Sequence, residues 1–195
     1  MELLIIRHGE TEWSLAGRHT GTSDIPLTAR GRAQARALAS VVTRALAGRD
    51  PALVLTSPRR RAAETLALAL PGVDADVCAD LREYDYGAYE GRTSADIHRV
   101  HPDWNVWDHG GPGGETARQV GRRADRVLAL VADAAGPVVV ASHGHAGRIL
   151  AARALGLPAT HGRMFALDTA SLGVIADRRG ERCVDLWNAT GAACS

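Results

Sequence analysis

The chain contains no lysine; all 23 of its basic side chains are arginine. Its formal net charge is only +1 over 195 residues. That gives no bulk electrostatic reason to bind nucleic acid or an anionic membrane, although abundant arginine leaves room for local positive patches. Cysteine is scarce. Cys78, Cys183 and Cys194 are widely spaced, odd in number and form no CxxC pair. This argues against a disulfide framework or a cysteine zinc site and predicts two buried thiols and a third near the C-terminus. No stretch approaches the roughly 20 apolar residues of a membrane span. No repeat or low-complexity linker stands out, and no GxxxxGK[ST] loop is present, which disfavours nucleotide-driven chemistry. Met1 leads straight into an apolar run without a signal-peptide pattern, so a cytoplasmic location is expected.

What is present is the make-up of an ordinary globular protein. Apolar residues are 46% and charged residues 23%, and the length suits one domain over residues 1–195 with a sizeable core. Residues 2–6 (ELLII) are apolar at consecutive positions, as in a strand buried on both faces. A polar loop rich in Gly and Thr follows over 9–27. Thr28 is a plausible N-cap for a helix in which Ala33, Ala37, Leu38, Val41, Val42 and Ala45 recur at helical spacing. A second buried strand is expected at 51–57, then a helix with Pro58 in its first turn. A third strand fits 73–77. A short helix follows near 94–100 and a long one over 114–134, with Val120, Ala124, Val127, Leu128 and Val131 on one stripe. PVVVASHGH is the clearest strand. Residues 146–155 are helical in pattern, and SLGVIAD and RCVDLWN read as a closing pair of strands with a turn near Gly180. Strands alternating with helices predict an α/β fold. The final hairpin makes the mostly parallel sheet mixed.

Sites in such sheets lie beyond the carboxyl ends of the strands. Three strands end on related chemistry: Arg7-His8-Gly9, Ser57-Pro58 ahead of a run of arginines, and Ser142-His143-Gly144. If these strands are neighbours, two histidines and several arginines meet in one crevice. The arginine fork matches phosphate oxygens, and a neutral imidazole is a competent nucleophile toward phosphorus. Helix N-termini after the strands add N–H donors for an anion. The pattern predicts phosphoryl transfer by positioning and charge neutralisation. The leaving oxygen then needs a proton. LREYDYGAYEG offers Glu83, Asp85 and Glu90, and a carboxyl beside a phosphate in a partly desolvated site can act as general acid. The residues alone do not choose among the three.

The motifs resemble, in order and spacing, the histidine phosphatase superfamily, the phosphoglycerate mutase-like proteins. RHGET at 7–11 resembles its signature, and GRHTG at 17–21 its phosphate-contacting loop. LTARGRAQA, SPRRRAAET, LREYDYGAYEG and SHGHAGR resemble its later landmarks, which run to about residue 153. The resemblance implies a three-layer α/β/α sandwich around a mixed, mostly parallel sheet. It implies His8 as phosphorylated nucleophile, Arg7 and Arg61 as phosphate clamps, His143 as the second histidine and Glu83 as proton donor. Asp85 and Glu90 then fall to structural roles. Thr20 and Gly21 match substrate-loop positions, and Gly144 offers a backbone N–H. Ser14 stands where mutases usually carry asparagine, so one phosphate donor there is weaker or replaced by a hydroxyl.

Arg59 is a further substrate-binding candidate. Arg59, Arg60 and Arg82 together invite a second-phosphate reading, against the blander one of a solvated face. His145 beside His143 looks like a metal pair, but no Asp or Cys joins them; no metal and no cofactor are expected. His19, His98, His101, His109 and His161 match no catalytic motif and are expected at the surface or in packing. Trp13, Trp104 and Trp107 suit either a pocket rim or the core. Only 60 positions separate Glu83 from His143, whereas similar cofactor-dependent mutases carry longer insertions there. With the YDYGAYEG loop and Ser14, this favours a phosphomonoester hydrolase resembling broad-specificity acid phosphatases and sugar-bisphosphate phosphatases. A phosphoglycerate mutase is the first alternative and a non-catalytic phospho-ligand-binding member the second. The expected partner is a small phosphorylated metabolite, with no nucleic acid or membrane, and a homodimer is the assembly common among relatives.

Overall fold

The computed structural model of the chain describes residues 2–191; Cys194 lies outside them. A six-stranded sheet runs β1 (Glu2–Arg7), β2 (Leu53–Thr56), β3 (Asp76–Val77), β4 (Pro137–Ser142), β5 (Ser171–Arg178) and β6 (Glu181–Thr190) in chain order. Its spatial order is β3-β2-β4-β1-β5-β6. β3, β2, β4 and β1 run parallel to one another; β5 is antiparallel to β1, and β6 to β5. The mixed α/β architecture expected from the sequence is the one found. The final hairpin turns at Arg179 and Gly180, both with positive φ (55° and 88°), which suits the right-handed strand twist.

Alternation along the central strands divides the core. Leu3 and Ile5 of β1, with Val138 and Val140 of β4, pack with α6 (Ala117–Leu130) and α7 (Gly144–Ala154). Leu4, Ile6, Val139 and Ala141 point the other way, toward α2 (Ala29–Leu46) and α3 (Arg60–Ala69). Both faces are covered, hence the consecutive apolar runs. The short helices α1 (Glu12–Leu15), α4 (Ser94–His98) and α5 (Val106–His109) lie in the connections.

Several boundaries differ from the sequence-based expectation. Thr28 caps α2 through Gly31 N, but the buried stripe is Gly31, Ala35, Leu38, Val41, Val42 and Leu46; Ala33 and Ala37 are exposed. Pro58 lies before α3, whose cap is Arg59. A capping box between Thr116 and Gln119 starts α6 later than residue 114. α1 occupies part of the expected polar loop because Thr11 and Ser14 form a capping box of their own. Cys78 and Cys183 are half-buried rather than buried. Among the described residues, no helix is long and apolar enough to cross a membrane.

Candidate active site

β4 lies between β1 and β2, so the three suggestive strand ends are adjacent. His8 N donates to Ser142 O (3.2 Å), and Ser57 N to Ala141 O (2.9 Å). The chain leaving β1 is also pressed against the start of α2. A Cβ on Gly9 would sit 2.4 Å from Gly31 O, and one on Gly31 would sit 2.1 Å from Glu10 O. Both glycines permit an approach that any side chain would block. Gly9 N is further tied to Thr65 Oγ1 at 2.9 Å.

His8 is buried, and its Nδ1 lies 2.7 Å from Gly9 O. A carbonyl only accepts, so Nδ1 carries the proton and Nε2 the lone pair. Arg61, itself 0% exposed, directs Nε at that lone pair from 3.3 Å. Its other nitrogens donate to Ser23 O (2.8 Å) and Thr20 O (3.0 Å). Arg7 bonds Leu167 O through one terminal nitrogen, while its buried Nε has no partner among the described residues. The His143 ring centroid lies 5.2 Å from that of His8. Its Nε2 is 2.7 Å from Ser57 Oγ, and its buried Nδ1 has no partner among the described residues.

Burial pushes His8 and His143 well below the ordinary imidazole pKa, and the charge of Arg61 adds to the effect on both. Burial likewise lowers Arg7 and Arg61. Both imidazoles are neutral near pH 7, the form a nucleophile needs. Glu83 reaches the cleft from the loop after the short 3-10 turn Ala79–Leu81. Its Oε1 accepts from Tyr84 N (2.9 Å) and Ala146 N (2.8 Å), and Oε2 from His145 N (3.1 Å). The N-terminal turn of α7 thus holds the carboxylate, and Oε2 is the oxygen with capacity to spare.

A cleft of about 190 Å³ opens above these groups. Arg7, His8, Ser14, Thr20, Glu83 and Gly144 line it, while Arg61 and His143, both 0% exposed, lie beneath. The structure places four further residues as follows. Gly21 N is taken by the Glu90 carboxylate (3.0 Å), and Gly21 does not line the cleft. Arg59 is likewise absent from the wall, although its buried Nε has no partner among the described residues. Arg82 pairs with Glu115 at 3.2 Å instead of facing a ligand. His19, expected in packing or at the surface, lines the cleft and packs against Tyr86, with ring centroids 4.7 Å apart and the planes tilted by 36°. The Ser14 hydroxyl bonds Thr11 within the α1 cap, so it reaches the cleft already engaged.

Glu90 and Asp85 are engaged with loop backbone: Glu90 also accepts from Ser23 N (3.0 Å), and Asp85 accepts from Gly87 N (2.9 Å). His143 and His145 turn to different partners, His145 Nδ1 lying 2.7 Å from Tyr86 Oη. Trp104 is buried and donates to Gly110 O, whereas Trp107 carries the Arg148 guanidinium 4.6 Å above its ring. Tyr86, His145 and Arg148 also line the cleft; helical and strand periodicity carried no signal for them.

The sequence model of the histidine phosphatase superfamily (branch 1) matches residues 3–190. The chain belongs to the histidine phosphatase superfamily. This histidine phosphatase is 44% identical to an acid phosphatase of Mycobacterium tuberculosis over 97% of its own length and 93% of the relative's. It is 36% identical to a sedoheptulose 1,7-bisphosphatase of Saccharomyces cerevisiae, over 79% and 67% of the two chains. A probable phosphoglycerate mutase of Serratia proteamaculans shares 31% identity over 96% and 90%. The solved structure of a Mycobacterium tuberculosis open reading frame superposes with a TM-score of 0.91 at 42% identity, covering 98% of each chain.

Proposed function

We propose that this histidine phosphatase hydrolyses phosphomonoesters of small phosphorylated metabolites, sugar phosphates or bisphosphates, through a phosphohistidine on His8. The observation that carries the reading is the His8 tautomer. Its Nε2 lone pair stands at the floor of a cleft walled by Arg7 on one side and Glu83 on another. Nε2 attacks phosphorus, the bond to the leaving oxygen breaks, and Glu83 gives that oxygen its proton. Arg7, Arg61 and the free Nδ1 of His143 take the charge on the non-bridging oxygens. A water molecule then gives a proton to the Glu83 carboxylate and attacks phosphorus. The P–N bond breaks, and inorganic phosphate leaves with His8 neutral again. A cytoplasmic location suits such substrates.

A second reading, cofactor-dependent phosphoglycerate mutase, is favoured by the mutase-named relative. Both share the phosphohistidine and differ in what takes the phosphoryl group. Phosphorus NMR with 3-phosphoglycerate, a trace of 2,3-bisphosphoglycerate and then a sugar bisphosphate separates them. Hydrolysis gives growing inorganic phosphate without 2-phosphoglycerate. Rapid 2-phosphoglycerate marks a mutase, and silence on every substrate leaves the non-catalytic binding reading.

A further inference from the structure

Arg123 is only 3% exposed, lies on α6 and does not line the cleft. A guanidinium has five N–H donors, and all five of Arg123 are engaged. Nε and one terminal nitrogen grip the two oxygens of Glu115, each at 2.8 Å. The remaining hydrogens go to three carbonyls of one short segment: Asp80 O (2.7 Å), Arg82 O (3.1 Å) and Glu83 O (3.4 Å). Glu115 completes the grip, its carboxylate accepting from Asp85 N (3.1 Å) and its own N–H donating to Asp85 O (2.8 Å). The one carbonyl skipped between Asp80 and Glu83, Leu81 O, accepts from Ser142 Oγ at 2.8 Å. The backbone carrying Glu83 is therefore fastened from behind, while its carboxylate is held in front by α7.

We propose that Glu115 and Arg123 are positioning residues for Glu83, setting where its carboxylate meets the leaving oxygen without touching substrate. The proposal rests on the reading of Glu83 as proton donor. A bidentate pair suits the task because its planar fork fixes direction as well as distance. A shift of about 1 Å at a reacting group costs on the order of 100-fold in rate, and a leaving group that needs no proton is insulated from that cost.

The test is a leaving-group comparison on E115Q, E83Q and the E115Q/E83Q double variant. kcat is measured for p-nitrophenyl phosphate and for an alkyl phosphate such as glycerol 2-phosphate. E115Q should lower kcat on the alkyl ester at least about tenfold more than on the aryl ester. In the E83Q background it should add less than about twofold, because two residues acting through one group are non-additive. Equal losses on both esters, or a fully multiplicative double variant, overturn the proposal. Amide exchange supplies a readout independent of turnover. Tyr84, His145 and Ala146 donate to the Glu83 carboxylate, so E115Q should speed their exchange relative to the β4 amides. Unchanged relative exchange overturns the proposal even if E83Q shows no leaving-group effect, the result that would instead retire Glu83 as proton donor. If E115Q does not fold, the uncharged E115Q/R123M pair carries the same measurements, since removing both charges avoids a lone buried one.

Discussion

Arg61 and Arg123 are both almost wholly buried, yet they are treated in opposite ways. Arg123 is locked onto a carboxylate and three carbonyls. Arg61 has no carboxylate partner among the described residues; it rests on two loop carbonyls and the lone pair of His8. A buried charge without a counter-ion is costly, and burial duly lowers the Arg61 pKa. The cost is tolerable where an anionic ligand completes the pair. One arginine has its counter-ion supplied by the chain; on the proposed function, the substrate phosphate supplies the other's.

The comparison can be broken at several points. The largest effect is expected on catalysis. Arg61→Met should reduce kcat/KM on any phosphomonoester by roughly 10³-fold, while urea denaturation shifts by less than about 2 kcal/mol, because the lost bonds are offset by relief of an unpaired charge. Arg123→Met should do the reverse to stability, lowering it by about 3–5 kcal/mol, because the largely buried Glu115 keeps only the more exposed Arg82 as counter-ion. Similar stability losses in the two variants would erase the distinction. Next, inorganic phosphate at 100 times its Kd should stabilise the wild-type protein by about 2.7 kcal/mol and Arg61→Met by far less; equal shifts in the melting curves would mean that phosphate binds elsewhere.

The smallest expected effect is on pH dependence. His8 and His143 have folded pKa values held well below the ordinary 6.5, so the unfolded chain binds more protons under mildly acid conditions. Their contribution is complete above about pH 6.5 and is lost as pH falls below it, by roughly 1 kcal/mol each at pH 5.5. Urea midpoints at pH 7.5 and 5.5 measure this, and substituting either histidine by Asn should flatten the slope.

The central strands were legible because both their faces are buried, and the long helices because one stripe of each is. β1 and β4 are apolar at every central position, and α6 shows its stripe plainly. α1 was not legible as a helix. It is four residues long with none of them buried, so it has no periodicity and exists through the Thr11 cap. Ala33 and Ala37 misled because alanine suits either face of a helix. His8, Arg61 and His143 could be named from motif order, whereas Arg123 could not. On α6 it looks like one more solvated arginine beside Arg122, and its partners lie eight residues away at Glu115 and about forty away on the Glu83 loop. Gly21 shows the opposite limit: its motif position was clear, but not that Glu90 had claimed its N–H.

The contact between Gly9 and Gly31 bears on how such a protein can be altered. Most of the cleft wall is side chain (His19, Tyr86, His145, Arg148), and side chains can be exchanged to fit a different substrate. The seat of His8 is backbone resting on backbone, with no side chain between. Redesign can therefore move freely along the rim, but a substitution at either glycine would displace the strand end itself. The end of β1 that carries His8 and the start of α2 form one part, to be transplanted together or left alone.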